Sequence, residues 1–484
     1  GSVVGASIYR VDPETGDSET YIGPLEGMAD DLEFGADGTL VWTSFMSGIL
    51  RARTGEDGPI RQLASGLPGI NSVAFNQDGR LFATQVFLGD ALYEVDPAGK
   101  KPLRKILENI GGLNGFDFGP DGLLYGPLWF RGQVVKIDVD SAELTVVADG
   151  FKTPAAVNFD SEGNLWALDT KAGDIFQIDV KSGEKKLVSH FQTAMDNLAF
   201  DSKDRLFVTV IPNNAIYEID KNTGKERKVK WSALSAPADI DVRSDDGHDT
   251  IYLSEVFALK AIDGDTGAVL WEKRNYSDEL ENPIGISVSD DHILAVSWFS
   301  ATVQQLDRAT GESQLIAHGF GAPMDAVELP EGDWLVLQAG GRLLRASGEE
   351  KTNRKVVSNG LAGAVAMVLG KSDEVYVTRT DRITRVDVAT GVTKDIATGL
   401  KNPEGIALSD AGKLVVAEVG AKRLISIDPE TGEIAELAGK LPIGLKGPSG
   451  APPSHVPTGV ASGSYGKVYV SSDLENAIYK VAPK

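Results

Sequence analysis

A unit of about 41 residues recurs through this chain, and a period of that length is the signature of a propeller blade. Three copies show its grammar: "NSVAFNQDGRLFATQVFLGDALYEVDPAGKK" (71–101), "AAVNFDSEGNLWALDTKAGDIFQIDVKSGEKK" (155–186) and "EGIALSDAGKLVVAEVGAKRLISIDPETGEI" (404–434). Each opens on an apolar strand, turns at Asp-Gly, Glu-Gly or Ala-Gly, and runs through a second strand. The last two strands join at Asp-x-x-Thr-Gly or a variant of it. Glycine supplies the positive φ that both turns need. One such unit cannot bury both of its faces, so neighbours must stack. The fold expected is all-β, a β-propeller built of four-stranded blades.

The first strand of each unit follows Asp30, Asn71, Asn114, Ala155, Asp196, Ala238, Ile284, Asp325, Gly363, Glu404 and Thr458, about eleven blades. The spacing departs from the repeat at 238–284 and at 404–458, where the Pro/Gly-rich insertion "GKLPIGLKGPSGAPPSHVP" (439–457) precedes the last unit. The N-terminal "SIYRVDPETGDSETYIG" is the outer half of a unit, and "GVASGSYGKVYVSSDLENAIYKV" near the C-terminus is an inner half. Pairing of these N- and C-terminal strands would close a ring and protect its edges. One ring of ten or eleven blades leaves a channel that side chains hardly fill. Two tandem propellers fill their channels better: 24–278 with about six blades and 279–484 with about five, residues 1–23 supplying the closing strands. The irregular "WEKRNYSDELENP" (271–283) is then the crossover.

Composition narrows the partners. The 484 residues carry 47 basic and 70 acidic side chains, a net charge of −23. Such a surface repels nucleic acid and anionic lipid, so neither partner is expected; a small-molecule substrate is. With no cysteine there is no disulfide framework, thiolate metal site or Cys nucleophile. The opening Gly-Ser reads as the scar of a trimmed chain, which leaves a periplasmic or secreted location as the expectation and the cytoplasm as its alternative. No Gly-x-Ser-x-Gly elbow, phosphate loop or His-Glu-x-x-His helix is present.

In a blade the innermost strand starts at the mouth of the central channel, so the residue just before it faces that mouth. Asp30, Asn71, Asn114 and Asp196 share this slot, whereas Ala155 and Ala238 show that the turn itself needs no polar group. Converging carboxylate and carboxamide oxygens are hard ligands for Ca²⁺ or Mg²⁺; the plainer reading is that they cap strand ends. In the second half Asp325 and Glu404 hold the slot and form the core of an alternative site.

The stretch "LNGFDFGPDGLLYG" (113–126) resembles the Asn-Gly blade opening of the senescence marker protein/gluconolactonase family. It is similar, more loosely, to strictosidine-synthase-like and virginiamycin B lyase propellers. The first resemblance implies six blades and one divalent cation, Ca²⁺ first, with Mg²⁺, Mn²⁺ or Zn²⁺ as alternatives. Matched by slot, its ligands would be Asp30, Asn71, Asn114 and Asp196. It also implies metal-assisted hydrolysis of a lactone or ester, with Asp196 as general base and Asp30 chiefly a ligand.

A second series lies in the loop after the second strand, which opens on the same face. It carries Phe45, Phe87, Trp129 with Phe130, and Trp298 with Phe299. Aromatic rings around a mouth imply an apolar or aromatic substrate, and packing between neighbouring loops is the rival explanation. Arg131, in one of these loops, is a candidate partner for a carboxylate or oxyanion. Among the histidines, His190 lies in a blade-to-blade connection and His455 in the insertion; either is a candidate general acid or base. The function expected is a divalent-metal-dependent lactonase or esterase. The alternatives are a ring-opening or eliminating lyase and a non-catalytic binding platform.

Overall fold

The computed structural model describes residues 1–2, 4–24, 26–371, 373–447 and 454–482. Their strands form ten antiparallel four-stranded sheets, one of three strands and one of two. Every four-stranded sheet is a simple meander, first strand inside and fourth outside, as expected for β-propeller blades. Blades 1–5 cover 29–64, 70–108, 117–148, 154–190 and 195–230; blades 6–11 cover 237–274, 285–318, 323–358, 367–398, 403–439 and 460–481.

Two compact units divide the described chain, one ending at Ser232 and the other beginning at Ala233. The boundary is therefore one blade earlier than the expected 278/279. In segment 271–283, residues 271–274 end the outer strand of blade 6 and the rest is an ordinary connection inside the second unit, where Asn275 N–H donates to the Phe257 carbonyl and Asn282 Nδ2 to the Val256 carbonyl.

The second unit closes on itself through blades 6 and 11. Ser471 Oγ and Gly459 N–H both donate to the Ala238 carbonyl. Tyr469 hydroxyl donates to Asp249 at 2.8 Å, and Ala236 N–H to Asn476 Oδ1 at 2.8 Å. The first unit has five blades and a hairpin, Ile8–Val11 with Ser18–Ile22, in the sixth position. Arg205 reaches Glu14 and Arg227 the Pro13 carbonyl from blade 5, while Arg53 of blade 1 reaches the Tyr21 carbonyl. The expected pairing of the two terminal halves is not formed. Strand Ile8–Val11 pairs with Ser18–Ile22, and Ala477–Val481 with Val468–Ser472. Each half pairs within its own unit.

The apolar core is a series of layers between blades rather than one central cluster. Trp42, Leu40 and Ile8 pack in one layer, and Trp334, Val336 and Phe320 in another, all buried. On the channel side, where backbone replaces apolar packing, carboxylates tie the blades together. Asp31 accepts Leu32 N–H with one oxygen and Val73 N–H of the next blade with the other. Asp117 does the same for Phe118 and Phe159, Asp239 for Ile240 and Ile286, and Asp241 for Val242 and Val288. A buried carboxylate that accepts two N–H groups satisfies donors that would otherwise be orphaned.

Candidate active site

Asp325 belongs to this latch series, and this revises its expected place. Ala29 pairs with Ser44 and Pro323 with Gln338, each the last residue of its second strand. Asp325 is thus equivalent to Asp31, one residue beyond the slot, and Met324 holds the slot. Its oxygens accept Ala326 N–H and Met367 N–H, both at 2.7 Å. Burial, then the charge of Asp239, pushes its pKa well above the usual range. It is an inter-blade tie, not a free ligand.

In the first unit the slot brings Asp30 and Asp196 within Coulombic range of each other. Burial first, then the charge of Asp196, raises Asp30 well above the ordinary carboxylate range. Burial pushes Asp196 up to about 6. Asn71 turns its Nδ2 to Asp30 and accepts Ser72 Oγ with its Oδ1. Asn114 turns its Oδ1 to Gly115 N–H at 2.9 Å. Two carboxylates and one adjoining carboxamide are what this mouth offers a cation. Among the described residues no three carboxylates or imidazoles converge as a metal-ligand group.

The loop aromatics of the first unit form one edge-to-face cluster across blades 1–3. Phe87 lies with its ring centre 6.1 Å from Phe45, 5.3 Å from Trp129 and 5.7 Å from Phe130. Phe45 is buried in this cluster, whereas Phe87 and Phe130 remain exposed, so loop packing and an apolar rim are both present. Arg131 donates to the Asn109 carbonyl at 3.1 Å, which ties it to its own blade connection. His190 does not reach a mouth. It ends the outermost strand Lys185–His190, exposed, with Nδ1 2.6 Å from Asp174 Oδ1.

The second unit assembles a site that the sequence holds in pieces. Glu404 opens the inner strand of blade 10 and is buried; its Oε2 accepts Thr458 N–H at 2.7 Å, and Ser454 hydroxyl also bonds to it. His455, buried between those two anchors, receives Trp298 Nε1–H on its carbonyl at 3.1 Å. Trp298 follows the second strand of blade 7, and blades 7 and 10 stand opposite in a ring of six. Residues 454–458 therefore cross the mouth. The insertion is held at its other end too: Asp473 accepts Gly444 N–H and Leu445 N–H, and Ser472 Oγ donates to the Pro442 carbonyl. Burial pushes Glu404 up to about 8, with Thr458 N–H opposing and Asp473 adding to it. Trp298 and Phe299 meet edge to face at 6.2 Å, and Phe299 is exposed. The arrangement puts a carboxyl that stays protonated near neutral pH, an imidazole-bearing segment and an aromatic pair at one channel mouth. The juxtaposition of Glu404 with 454–458 spans an insertion that the repeat does not describe, so spacing alone gave no signal of it.

No family model matches the chain, and no curated protein matches it. Solved structures that it is similar to include virginiamycin B lyase from Staphylococcus aureus, at 16% identity and TM-score 0.36 over 55% of this chain and 89% of that one. The extracellular domain of BT4673, a putative one component system from B. thetaiotaomicron, matches at 12% identity and TM-score 0.34 over 99% and 68%. The tricorn protease matches at 14% identity and TM-score 0.36 over 94% and 44%. No described helix is long and apolar enough to cross a membrane, which leaves membrane-spanning strands unaddressed.

Proposed function

We propose that this propeller chain is an acid–base enzyme, a lyase that opens a ring or cleaves an ester by elimination at the mouth of its second unit. The observation that carries the reading is the seating of 454–458 between Glu404 and Trp298, which brings the backbone of His455 to the mouth that holds the buried Glu404 carboxyl. In such a reaction a base takes a proton from carbon, a double bond forms, and the carbon–oxygen bond to the leaving carboxylate breaks. An acid then protonates the departing oxygen. No water is consumed. His455 is assigned as the base, because imidazole is the side chain whose ordinary titration lies near neutrality. Glu404 is assigned as the acid, since burial keeps its proton in place up to about 8. Trp298 and Phe299 favour an apolar or aromatic substrate.

The experiment is mass spectrometry of products from a lactone-closed cyclic peptide and an aryl-bearing ester, run in ¹⁸O-water. Elimination gives an unsaturated product with no ¹⁸O and no added water. His455→Ala and Glu404→Gln are expected to lower kcat by about 10²–10⁴. Incorporation of ¹⁸O, or full activity in both variants, overturns the reading.

A second reading, metal-assisted hydrolysis at the first unit, is favoured by the raised pKa values of Asp30 and Asp196. A divalent cation would relieve that repulsion. Asp30 and Asp196 would hold it with Asn71, and it would supply Lewis-acid polarisation of a carbonyl.

A further inference from the structure

At the end of the blades opposite the mouth, first and second strands are joined by tight turns built on one grammar. These read "ADG" at 36–38, "QDG" at 77–79, "PDG" at 120–122, "SEG" at 161–163 and "DAG" at 410–412. Blades 5, 7 and 9 vary it with "SKD" at 202–204, "DD" at 290–291 and "KSD" at 371–373, and the turns of blades 11 and 6 are longer variants, "SGSYGK" at 462–467 and "RSDDGH" at 243–248. A turn that breaks a repeat's rule without a folding reason is where function is sought. The two longer turns flank one another in the closed ring of the second unit. Between them and the turn of blade 10 lies an open recess of about 410 Å³, lined by Ser244, Gly247, Asp410, Ser462 and Tyr465 among others.

Tyr465 is the feature that packing does not explain. Its ring is 76% exposed, and its backbone is in the left-handed region at φ 57°, ψ 30°, a conformation that is strained for a bulky side chain. The turn is nevertheless firmly held. Ser464 N–H donates to Asp249 Oδ1 at 2.9 Å, and Ser464 Oγ to the Gly247 carbonyl at 3.0 Å. The Tyr465 hydroxyl lies so close over Gly247 that a Cβ there would meet it at 2.3 Å. Only glycine at 247 lets the ring lie where it does. The result is a largely exposed aromatic ring set against Gly247.

The polar groups around it are unspent. Ser462 Oγ is buried and has no hydrogen-bond partner among the described residues. Asp410 is exposed and lies across the recess in blade 10. The nearest ammonium, Lys467 Nζ, lies 5.8 Å from the centre of the Tyr465 ring and pairs with Asp249 and Asp265, which offset its charge. The lining is too polar for a hydrocarbon. An aromatic face beside hydroxyl and carboxylate acceptors suits a ligand with one C–H face and a rim of hydroxyls.

We infer that this recess is a carbohydrate-binding site that takes one neutral pyranose ring across Tyr465, with a hydroxyl bonded to the exposed Asp410. The site is remote from the mouth and independent of the chemistry assigned there. Saturation-transfer difference NMR on the whole chain tests it, with methyl β-D-glucopyranoside, methyl β-D-galactopyranoside and methyl α-D-mannopyranoside as probes. Saturable transfer to the protons of one ring face is expected from at least one of them, with millimolar affinity. Tyr465→Ala is expected to weaken it about tenfold or more, and Tyr465→Phe to keep it. Absence of saturable transfer from all three overturns the inference, as does undiminished binding by Tyr465→Ala. If Tyr465→Ala fails to fold, Asp410→Ala replaces it: weaker binding supports the site, and unchanged binding overturns it.

Discussion

Replacing Glu404 by Gln removes the titrating group while keeping the side chain's size and the oxygen that receives Thr458 N–H. Glu404 titrates at about 8 in the fold against 4.5 for a free glutamate. Between those values the native state holds a proton that the unfolded chain has released. Stability therefore falls as pH rises from 4.5, and the whole penalty is present above 8. At about 1.4 kcal/mol for each tenfold change in proton affinity, the penalty is about 4–5 kcal/mol. Glu404→Gln lacks it. The assay is urea unfolding of both proteins at pH 4.5 and pH 9, read by hydrogen exchange in peptides of blades 6–11, so that the first unit does not blur the transition. Comparing the two proteins cancels every other titrating group. The variant is expected to gain about 4–5 kcal/mol on the wild type between the two pH values. A gap that stays constant to within about 1 kcal/mol refutes the claim that this carboxyl is buried and protonated. The acid role assigned to it would fall with that claim.

The two carboxylates of the first unit give a separate forecast. Millimolar Ca²⁺ is expected to raise the melting temperature of blades 1–5 in the wild type and not in Asp196→Asn, measured by the same peptide-resolved exchange on heating. If Ca²⁺, Mg²⁺, Mn²⁺ and Zn²⁺ all leave the wild type unmoved, the hydrolase reading fails. For the latches, Asp241→Ala leaves the N–H groups of Val242 and Val288 without an acceptor. At about 1–3 kcal/mol for each orphaned donor the loss is about 2–6 kcal/mol in denaturant unfolding. Asp241→Asn, which keeps one acceptor oxygen, is expected to lose less, and an alanine cost under about 1 kcal/mol contradicts the assignment.

Blade grammar was legible because it is local. The Gly79, Gly122 and Gly163 turns need only their own few residues, and each has the positive φ that the sequence demanded. Ring membership was not legible, because nothing local to a blade tells which ring it joins. What assigns blade 6 to the second unit is a bond from Ser471 to Ala238, more than two hundred residues away in sequence. Asp30 and Asp196 lie within Coulombic range of each other, whereas a one-residue offset in blade 8 put Asp325 in the slot when it belongs to the latch line. Aspartate serves both positions, so residue type could not separate them; strand register could. Glu404 and His455 were each singled out, in separate sets. Their association depends on how a Pro/Gly-rich insertion lies across a ring, and no periodicity encodes that.

The latches bear on how such a chain lengthens. Asp31 reaches Val73, Asp117 reaches Phe159 and Asp325 reaches Met367, each 42 residues on, about one repeat plus a step along the strand. Donor and acceptor are thus copies of neighbouring positions in the same unit. When a blade is duplicated, the new copy arrives carrying both the hook for its successor and the eye for its predecessor. No compensating substitution is needed for it to be held. Where a connection has grown, as between Asp239 and Ile286 at 47 residues, the extra length bulges out elsewhere and the hook still finds its eye. Propellers joined this way inherit their seams with their bricks.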